Sequence, residues 1–436
     1  MDDDPDPLPD ERSGAVTGVR WRVLALLVLL SFIAYVLRTN MSVAGEGMMR
    51  ELGLSQVQLG MILGAFAWGY ALFQFPGGVF GDIVGPRRAL AWIAVAWGVV
   101  NLLTGLVPGV SAVGVTGVLV ALVALRFAMG VVQAPVFPVL AGAVGNWFPV
   151  SSWALPNGLS SAGLTLGAAA TGPLIVWLAA SVGWRLSFIL TAPIGLAVAA
   201  LWHWQARDRP GEHPAVGEGE LRLIEAGRAA DSIPARGAWK IVLRDRNILL
   251  LTASYFCMNY VFYIFFNWFF IYLVQVRGFA ALESGFLATA PWLVGAAGAA
   301  VGGRWSDGIS KRRGIRRGCR LPCLVSLPAV AVLLWAGAAA VNTYVAVALL
   351  AVSFGCTQLT EGAYWSAATS VAGRHASAAC GVMNTGGNAV GGVGAILVPL
   401  LAERFGWVLA LSTGSLFALV GAALWLFIRA DEPMRC

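Results

Sequence analysis

Apolar residues run through this chain in long unbroken stretches separated by short polar breaks, from residue 21 almost to the end. Crossing the hydrocarbon core of a bilayer takes about 20 predominantly apolar residues in a helix. Twelve segments meet that length: 21–45, 57–80, 89–108, 113–145, 156–181, 184–204, 247–274, 284–304, 321–340, 343–371, 378–402 and 407–429. All read as helices. An open sheet would leave backbone groups unsatisfied in lipid, and a closed barrel would alternate over segments of about ten residues instead of running apolar throughout. The pattern predicts an all-α membrane protein with twelve transmembrane helices.

One long polar insertion, 205–246, splits the helices six and six. The organisation expected is a cytosolic tail over 1–20, a six-helix bundle over 21–204, a cytosolic central loop over 205–246, a second six-helix bundle over 247–430 and a short cytosolic tail over 431–436. Inside the loop, "GEGELRLIEAGRAADSI" reads as a short helix. The two halves repeat each other. "GGVFGDIVGPRR" follows the second helix and "GGRWSDGISKRR" the eighth, with Gly60 and Gly285 each 22 residues ahead of Asp82 and Asp307. Gly158, Gly163 and Gly183-Trp184 recur at the same offsets as Gly381, Gly386 and Gly406-Trp407. Two such matches in corresponding helices point to a duplicated, pseudo-symmetric pair of bundles.

Composition agrees: of 436 residues, 58% are hydrophobic and 12% charged. Charge then sets the orientation. With the N-terminus inside, internal segments hold 23 of the 29 Lys and Arg, while the external loops hold only Arg50, Arg185, Arg277 and Arg404. Positive residues stay cytosolic, so both termini are expected in the cytosol and the chain in the cell (inner or plasma) membrane. The net charge of +7 is this signature and calls for no nucleic-acid partner. The acidic start "MDDDPDPLPDERSG" lacks the basic region of a secretory signal and reads as a disordered tail. The six cysteines and three histidines form no ligand cluster, so no metal or cofactor is expected. No GxxxxGK[ST] loop is present, which argues against an ATP-driven pump.

Polar residues inside the apolar stretches carry the candidate chemistry. An arginine at the bilayer centre costs about 2.5 to 3.5 kcal/mol on insertion scales, so it faces a wet cavity or a partner. Arg38 and Arg126 both lie near mid-helix without a partner in their own helix; Gln133, seven residues beyond Arg126, is neutral. Two unpaired guanidinium groups suggest an anionic ligand, since arginine binds carboxylate or phosphate through two parallel bonds. For Arg126, bracing of helices through backbone carbonyls is the competing reading. In the tenth helix "FGCTQLTEGAYWSA" places Glu361 beside Trp365; the carboxylate either carries a proton or pairs with an arginine across the cavity. Asn259, Tyr263 and Asn267 form a polar stripe at i, i+4 and i+8, and Asn384 with Asn388, and Tyr70 with Gln74, repeat the i, i+4 spacing. Such stripes line a cavity or make hydrogen bonds between helices; for Gln74 the second is the stronger reading.

"GDIVGPRR" resembles the loop motif of the major facilitator superfamily, and "SDGISKRR" stands where that family repeats it. Within the superfamily "YVLRTNMSVA", "WGYALFQFPGG", "RFAMGVVQAPVFP" and "NTGGN" are similar to motifs of the anion:cation symporter group of sugar-acid and organic-anion carriers. The resemblance implies two bundles rocking about a midplane site, with Asp82, Arg87 and Arg88 as a gate and Asp307 as a weaker counterpart. It also shows a departure. Proton-coupled sugar-acid carriers have carboxylates where Leu37 and Gln133 stand here.

The function expected is secondary transport, by a monomer, of a small organic anion such as a sugar acid or aromatic acid. Proton coupling through Glu361 is one option; exchange or facilitated diffusion is another, and efflux of amphipathic compounds a third. A receptor built on a carrier fold would carry a larger soluble domain, and an enzyme a nucleophile with its base or a metal cluster.

Overall fold

The computed structural model describes residues 16–226, 239–279 and 287–434, and every regular element among them is helical. In chain order they are α1 (Val19–Leu52), α2 (Gln56–Val84), α3 (Pro86–Gly105), α4 (Val110–Gln133), α5 (Val136–Trp147), α6 (Ala154–Gln205), α7 (Glu218–Glu225), α8 (Trp239–Val242), α9 (Arg246–Gln275), α10 (Ala290–Arg313), α11 (Ile315–Ala339), α12 (Thr343–Leu359), α13 (Glu361–Ala372), α14 (Ala376–Phe405) and α15 (Trp407–Leu424).

Twelve spans emerge from these helices, because local chemistry breaks two spans and joins two others. The fourth span is α4 with α5, interrupted at Pro135, whose ring nitrogen has no hydrogen to donate. The tenth is α12 with α13. Thr360 lies between them, and its Oγ1 donates to the Thr357 carbonyl at 2.7 Å, holding a tighter turn. The fifth and sixth spans make up α6, which turns at Gly183 (φ 82°), a backbone conformation open to glycine. Among the described residues, nine runs are apolar and long enough by composition to cross a membrane, Val150–Gln205 holding two spans. The 24-residue α10 and 30-residue α14 have the length but are diluted by charge and by glycine.

Among the boundaries that differ from the sequence reading, two bear on the repeat-related aspartates Asp82 and Asp307. The eighth span was expected to end at 304, but α10 runs to Arg313, so Asp307 sits inside a helix and not in a loop. Asp82 likewise lies within α2. The breaks come at Gly85 and Gly314, both with φ above 80°. Of the short loop helix, Glu218–Glu225 is present; residues from 227 lie outside the described residues, as does Gly285.

The bundles pair their helices in the same way. In the first, α1 packs on the first span of α6, α2 on α4, and α3 on the second span of α6. In the second, α9 packs on α14, α10 on α12, and α11 on α15. Lipid supplies no hydrophobic drive between helices, so close approach of small residues holds these contacts. A Cβ on Gly69 would stand 2.3 Å from the Phe127 carbonyl oxygen, and one on Gly298 would stand 2.2 Å from that of Gly355. Across the bundles, α2 meets α14 and the first span of α6 meets α10.

Candidate functional site

The stretch "FIAYVLRTN" is helical throughout α1, which places Arg38 one turn past Tyr35. Arg38 Nη1 donates to Tyr35 Oη at 3.3 Å. Its guanidinium carbon stands 5.0 Å from the ring centres of Tyr35 and Phe66 and 4.6 Å from that of Tyr70. Three rings therefore surround the charge. No carboxylate forms an ion pair with it among the described residues. Cation–π contact is worth about 0.5 to 2 kcal/mol, so the cage holds the side chain in place while its charge stays uncompensated.

Arg126 stands behind Arg38, 4% exposed. Its Nη2 donates to the Arg38 carbonyl at 3.0 Å, its guanidinium lies 4.9 Å from the Phe66 ring centre, and its Nε has no hydrogen-bond partner. It braces α1 from α4 and adds a second positive charge to the same place. Gln133, two turns further along α4, is buried and donates to the Ala34 carbonyl at 3.0 Å.

A central cavity of about 40 Å³ lies between the bundles, and Arg38 faces Glu361 across it. Glu361 Oε2 accepts from Trp365 Nε1 at 2.8 Å, and Tyr255 Oη donates to both carboxylate oxygens at 3.2 and 3.3 Å. All these donors are neutral. The expected alternative, an ion pair between Glu361 and Arg38 or Arg126, is absent among the described residues. Binding pockets for small molecules run to about 300–1,000 Å³, so this cavity is smaller than the sites that hold them.

Of the residues singled out from the sequence, Arg38, Tyr70, Asn259, Glu361, Trp365, Asn384 and Asn388 share the cavity wall. Tyr263 stands just outside it, donating from Oη to Asn388 Oδ1 at 2.7 Å; Asn388 Nδ2 in turn donates to Asn384 Oδ1 at 2.9 Å. Asn267, two turns from Asn259, is not in the wall, and neither are Arg126 and Gln133. Sequence reasoning passed over Tyr35, Ser161 and Tyr255 and named Gln358 only as a neighbour of Glu361; all four are in it. Tyr35 and Tyr255 had a usable signal: each lies one turn before a residue already chosen, Arg38 and Asn259. Gln74 is buried with neither amide atom bonded, so hydrogen bonding between helices does not account for it.

At the end of the molecule where α1 begins and α7 lies, the bundles are shut against each other. Asp82 of α2 accepts from the Ser377 and Ala378 backbone N–H groups at 3.1 and 2.9 Å, the first turn of α14. Asp307 of α10 accepts from those of Ala154 and Leu155 at 2.8 and 2.9 Å, the first turn of α6. A carboxylate at a helix N-terminus satisfies orphan donors and meets the positive end of the dipole. The two contacts are equivalent, so Asp307 is no weaker in geometry than Asp82. Arg87 stays within its own bundle, donating from Nε and Nη2 to the His203 carbonyl at 3.2 and 3.0 Å, and Arg88 is exposed.

Comparison with known proteins adds to this geometry. Residues 27–394 match the family described as Major Facilitator Superfamily. The chain is 33% identical to the probable sulfoacetate transporter SauU of Cupriavidus necator, over 95% of this chain and 96% of that protein. It is 29% identical to the D-galactonate transporter of Escherichia coli, over 94% of this chain and 96% of that one. Among solved structures, the proton:xylose symporter XylE bound to 6-bromo-6-deoxy-D-glucose superposes with a TM-score of 0.76 at 12% identity, covering 96% of this chain and 98% of that one.

Proposed function

Since the chain belongs to the major facilitator superfamily and is a multi-pass membrane transporter, we propose that it carries a small organic anion by alternating access, with Arg38 as the anchor for the anion. The observation that carries this reading is the guanidinium of Arg38, held by three rings in the wall of a cavity between the bundles and ion-paired to no acid among the described residues. A carboxylate or sulfonate supplies the missing charge and matches the forked donors. Relatives named for sulfoacetate and D-galactonate transport support the same chemical class. Asn259, Asn384 and Asn388 would then meet polar groups along the rest of the solute.

The shut end is the cytosolic one in this reading, since it gathers most of the Lys and Arg. Asp82 and Asp307 act as its latches. Solute enters from the opposite face, reaches Arg38, and the latches release as the bundles rock. Glu361 is the site of the coupling proton. It is a buried carboxyl served only by neutral donors, and it shares the cavity with the anion anchor, so its charge and the solute's are felt together. Leu37 and Gln133 leave no second carboxyl for that task. The transporter works as a monomer in the cell membrane with both termini in the cytosol.

The test is counterflow in proteoliposomes with labelled sulfoacetate, D-galactonate and a hexuronate, beside neutral polyols and a cationic amphipath. Anion-selective exchange is expected. Equal handling of neutral or amphipathic compounds would replace this reading with efflux.

A further inference from the structure

A second, larger cavity of about 650 Å³ opens at the shut end, away from the central site. Its wall contains Arg20 from the start of α1, Ser151 and Ser152 from the turn before α6, and Arg304, Lys311 and Arg312 from α10. Positions 304, 307, 308, 311 and 312 fall on one face of α10 by helical spacing. The one acid on that face, Asp307, already spends both oxygens on the N-terminus of α6. Arg304, Lys311 and Arg312 consequently have no ion pair among the described residues, and only Arg20 has a partner, Glu220 at 3.6 Å. Arg20 Nη1 is buried without a hydrogen bond.

We propose that this cavity binds a phosphate-bearing molecule of headgroup size, and that the ligand holds the two bundles closed at this end. Four cationic side chains and two hydroxyls converge on one space, and they suit the several acceptor oxygens and high charge of a phosphate. The volume lies within the range of small-molecule pockets, about 300–1,000 Å³, and exceeds what inorganic phosphate alone would fill. Trp21, 45% exposed at the same rim, places an amphipathic ring where membrane interfaces favour one. Arg20 and the two serines belong to the first bundle and the other three cations to the second. A ligand touching both binds only when they are together, so by linkage it favours that state.

The test uses the full chain in nanodiscs and follows hydrogen exchange at the first turn of α6, Ala154 and Leu155, whose amides are capped across the seam. Phosphatidylglycerol discs are compared with phosphatidylcholine discs, with and without sn-glycerol 3-phosphate at constant ionic strength. Slower exchange caused by phosphatidylglycerol alone identifies a lipid headgroup; slower exchange with glycerol 3-phosphate in phosphatidylcholine identifies a soluble phosphate ester. Either protection should fall about tenfold in the variant combining Arg304→Gln, Lys311→Gln and Arg312→Gln, as loss of charge-assisted hydrogen bonds requires. Should that variant misfold, Lys311→Gln and Arg312→Gln are read singly, each expected to weaken protection. The proposal is overturned if neither phosphate source slows exchange in the unmodified chain, or if the variants are protected as well as it is.

Discussion

Arg38 occupies a depth where a lone guanidinium is costly, and the chain surrounds it with rings instead of pairing it with an acid. A carboxylate partner would have stabilised the resting protein and competed with any incoming anion. Arg38→Gln should therefore leave the protein inserted and monodisperse while weakening anion binding by roughly 2–5 kcal/mol, the cost of truncating one side of a buried charge pair. Counterflow together with size-exclusion chromatography checks both halves of that statement, and retained uptake removes Arg38 from the site. Glu361→Gln should give a transport rate flat in external pH with exchange of anion for anion preserved; an unaltered pH profile would assign the proton elsewhere. Much at this scale was readable in advance, because a polar side chain in an apolar helix announces itself. The exceptions are instructive. Arg126 and Gln133 were equally conspicuous, yet they turn to backbone carbonyls of α1, and nothing in their spacing distinguishes a brace from a ligand contact. Tyr35, although it opens "YVLRTNMSVA", and Tyr255 were not singled out, because an aromatic hydroxyl barely disturbs a hydropathy pattern.

At the scale of helices, the matched glycines of the two halves have matched tasks. Gly158 approaches Ala299 of α10, and Gly381 approaches Gln74 of α2, both across the seam between bundles. Gly163 and Gly386 face α1 and α9, each within its own bundle, and Gly183 and Gly406 make the same turn, with φ 82° and 84°. The offsets in the sequence revealed the duplication; which glycines face the seam emerged only with the packing. A Cβ on Gly158 would stand 2.3 Å from the Ala299 carbonyl oxygen, a backbone atom with little room to yield. Gly158→Val should fold but fail to close the basic end, and fast amide exchange at Ala154 with lost transport is the expected pair of readouts. Gly172→Ala, with nothing within 4 Å of the added carbon, is the neutral comparison.

The short α7 is tied to α1 by one buried acid. Glu220 accepts from Thr17 Oγ1 and from the Val19 and Arg20 N–H groups at 3.0 and 3.1 Å. Burial raises its carboxyl, but these bonds and Arg20 bring it below the usual carboxylate range. A lowered value in the folded state means the stabilisation is complete above the unfolded value of about 4.3 and is lost as pH falls through the folded one. The protection factors of the Val19 and Arg20 amides, measured against intrinsic exchange at each pH, should accordingly stay constant through neutral pH and fall only in strong acid. A fall already near pH 6 would show that the tie rests on something else.

For the whole molecule, the seam at the basic end carries two acids, Asp82 and Asp307, each capping a helix of the opposite bundle. Replacing a capping acid by alanine costs about 0.5–2 kcal/mol, so Asp82→Ala and Asp307→Ala should each shift the balance away from the closed state by roughly fivefold at 1 kcal/mol, and by similar amounts. Exchange at Ser377 and Ala378 reports the first and exchange at Ala154 and Leu155 the second; a far smaller effect from Asp307→Ala would restore the ranking that the degenerate motif suggested. That ranking rested on the degeneracy of "SDGISKRR", whereas α10 continues to Arg313 and brings its aspartate to the same kind of target as Asp82. In both caps the acid comes from the second helix of one half and the amides from the fifth helix of the other. Such exchange of donor and acceptor surfaces is the contact rule of an isologous dimer. Two identical six-helix ancestors related by a twofold axis would have formed both caps from one acid position, and the fused chain retains that handshake.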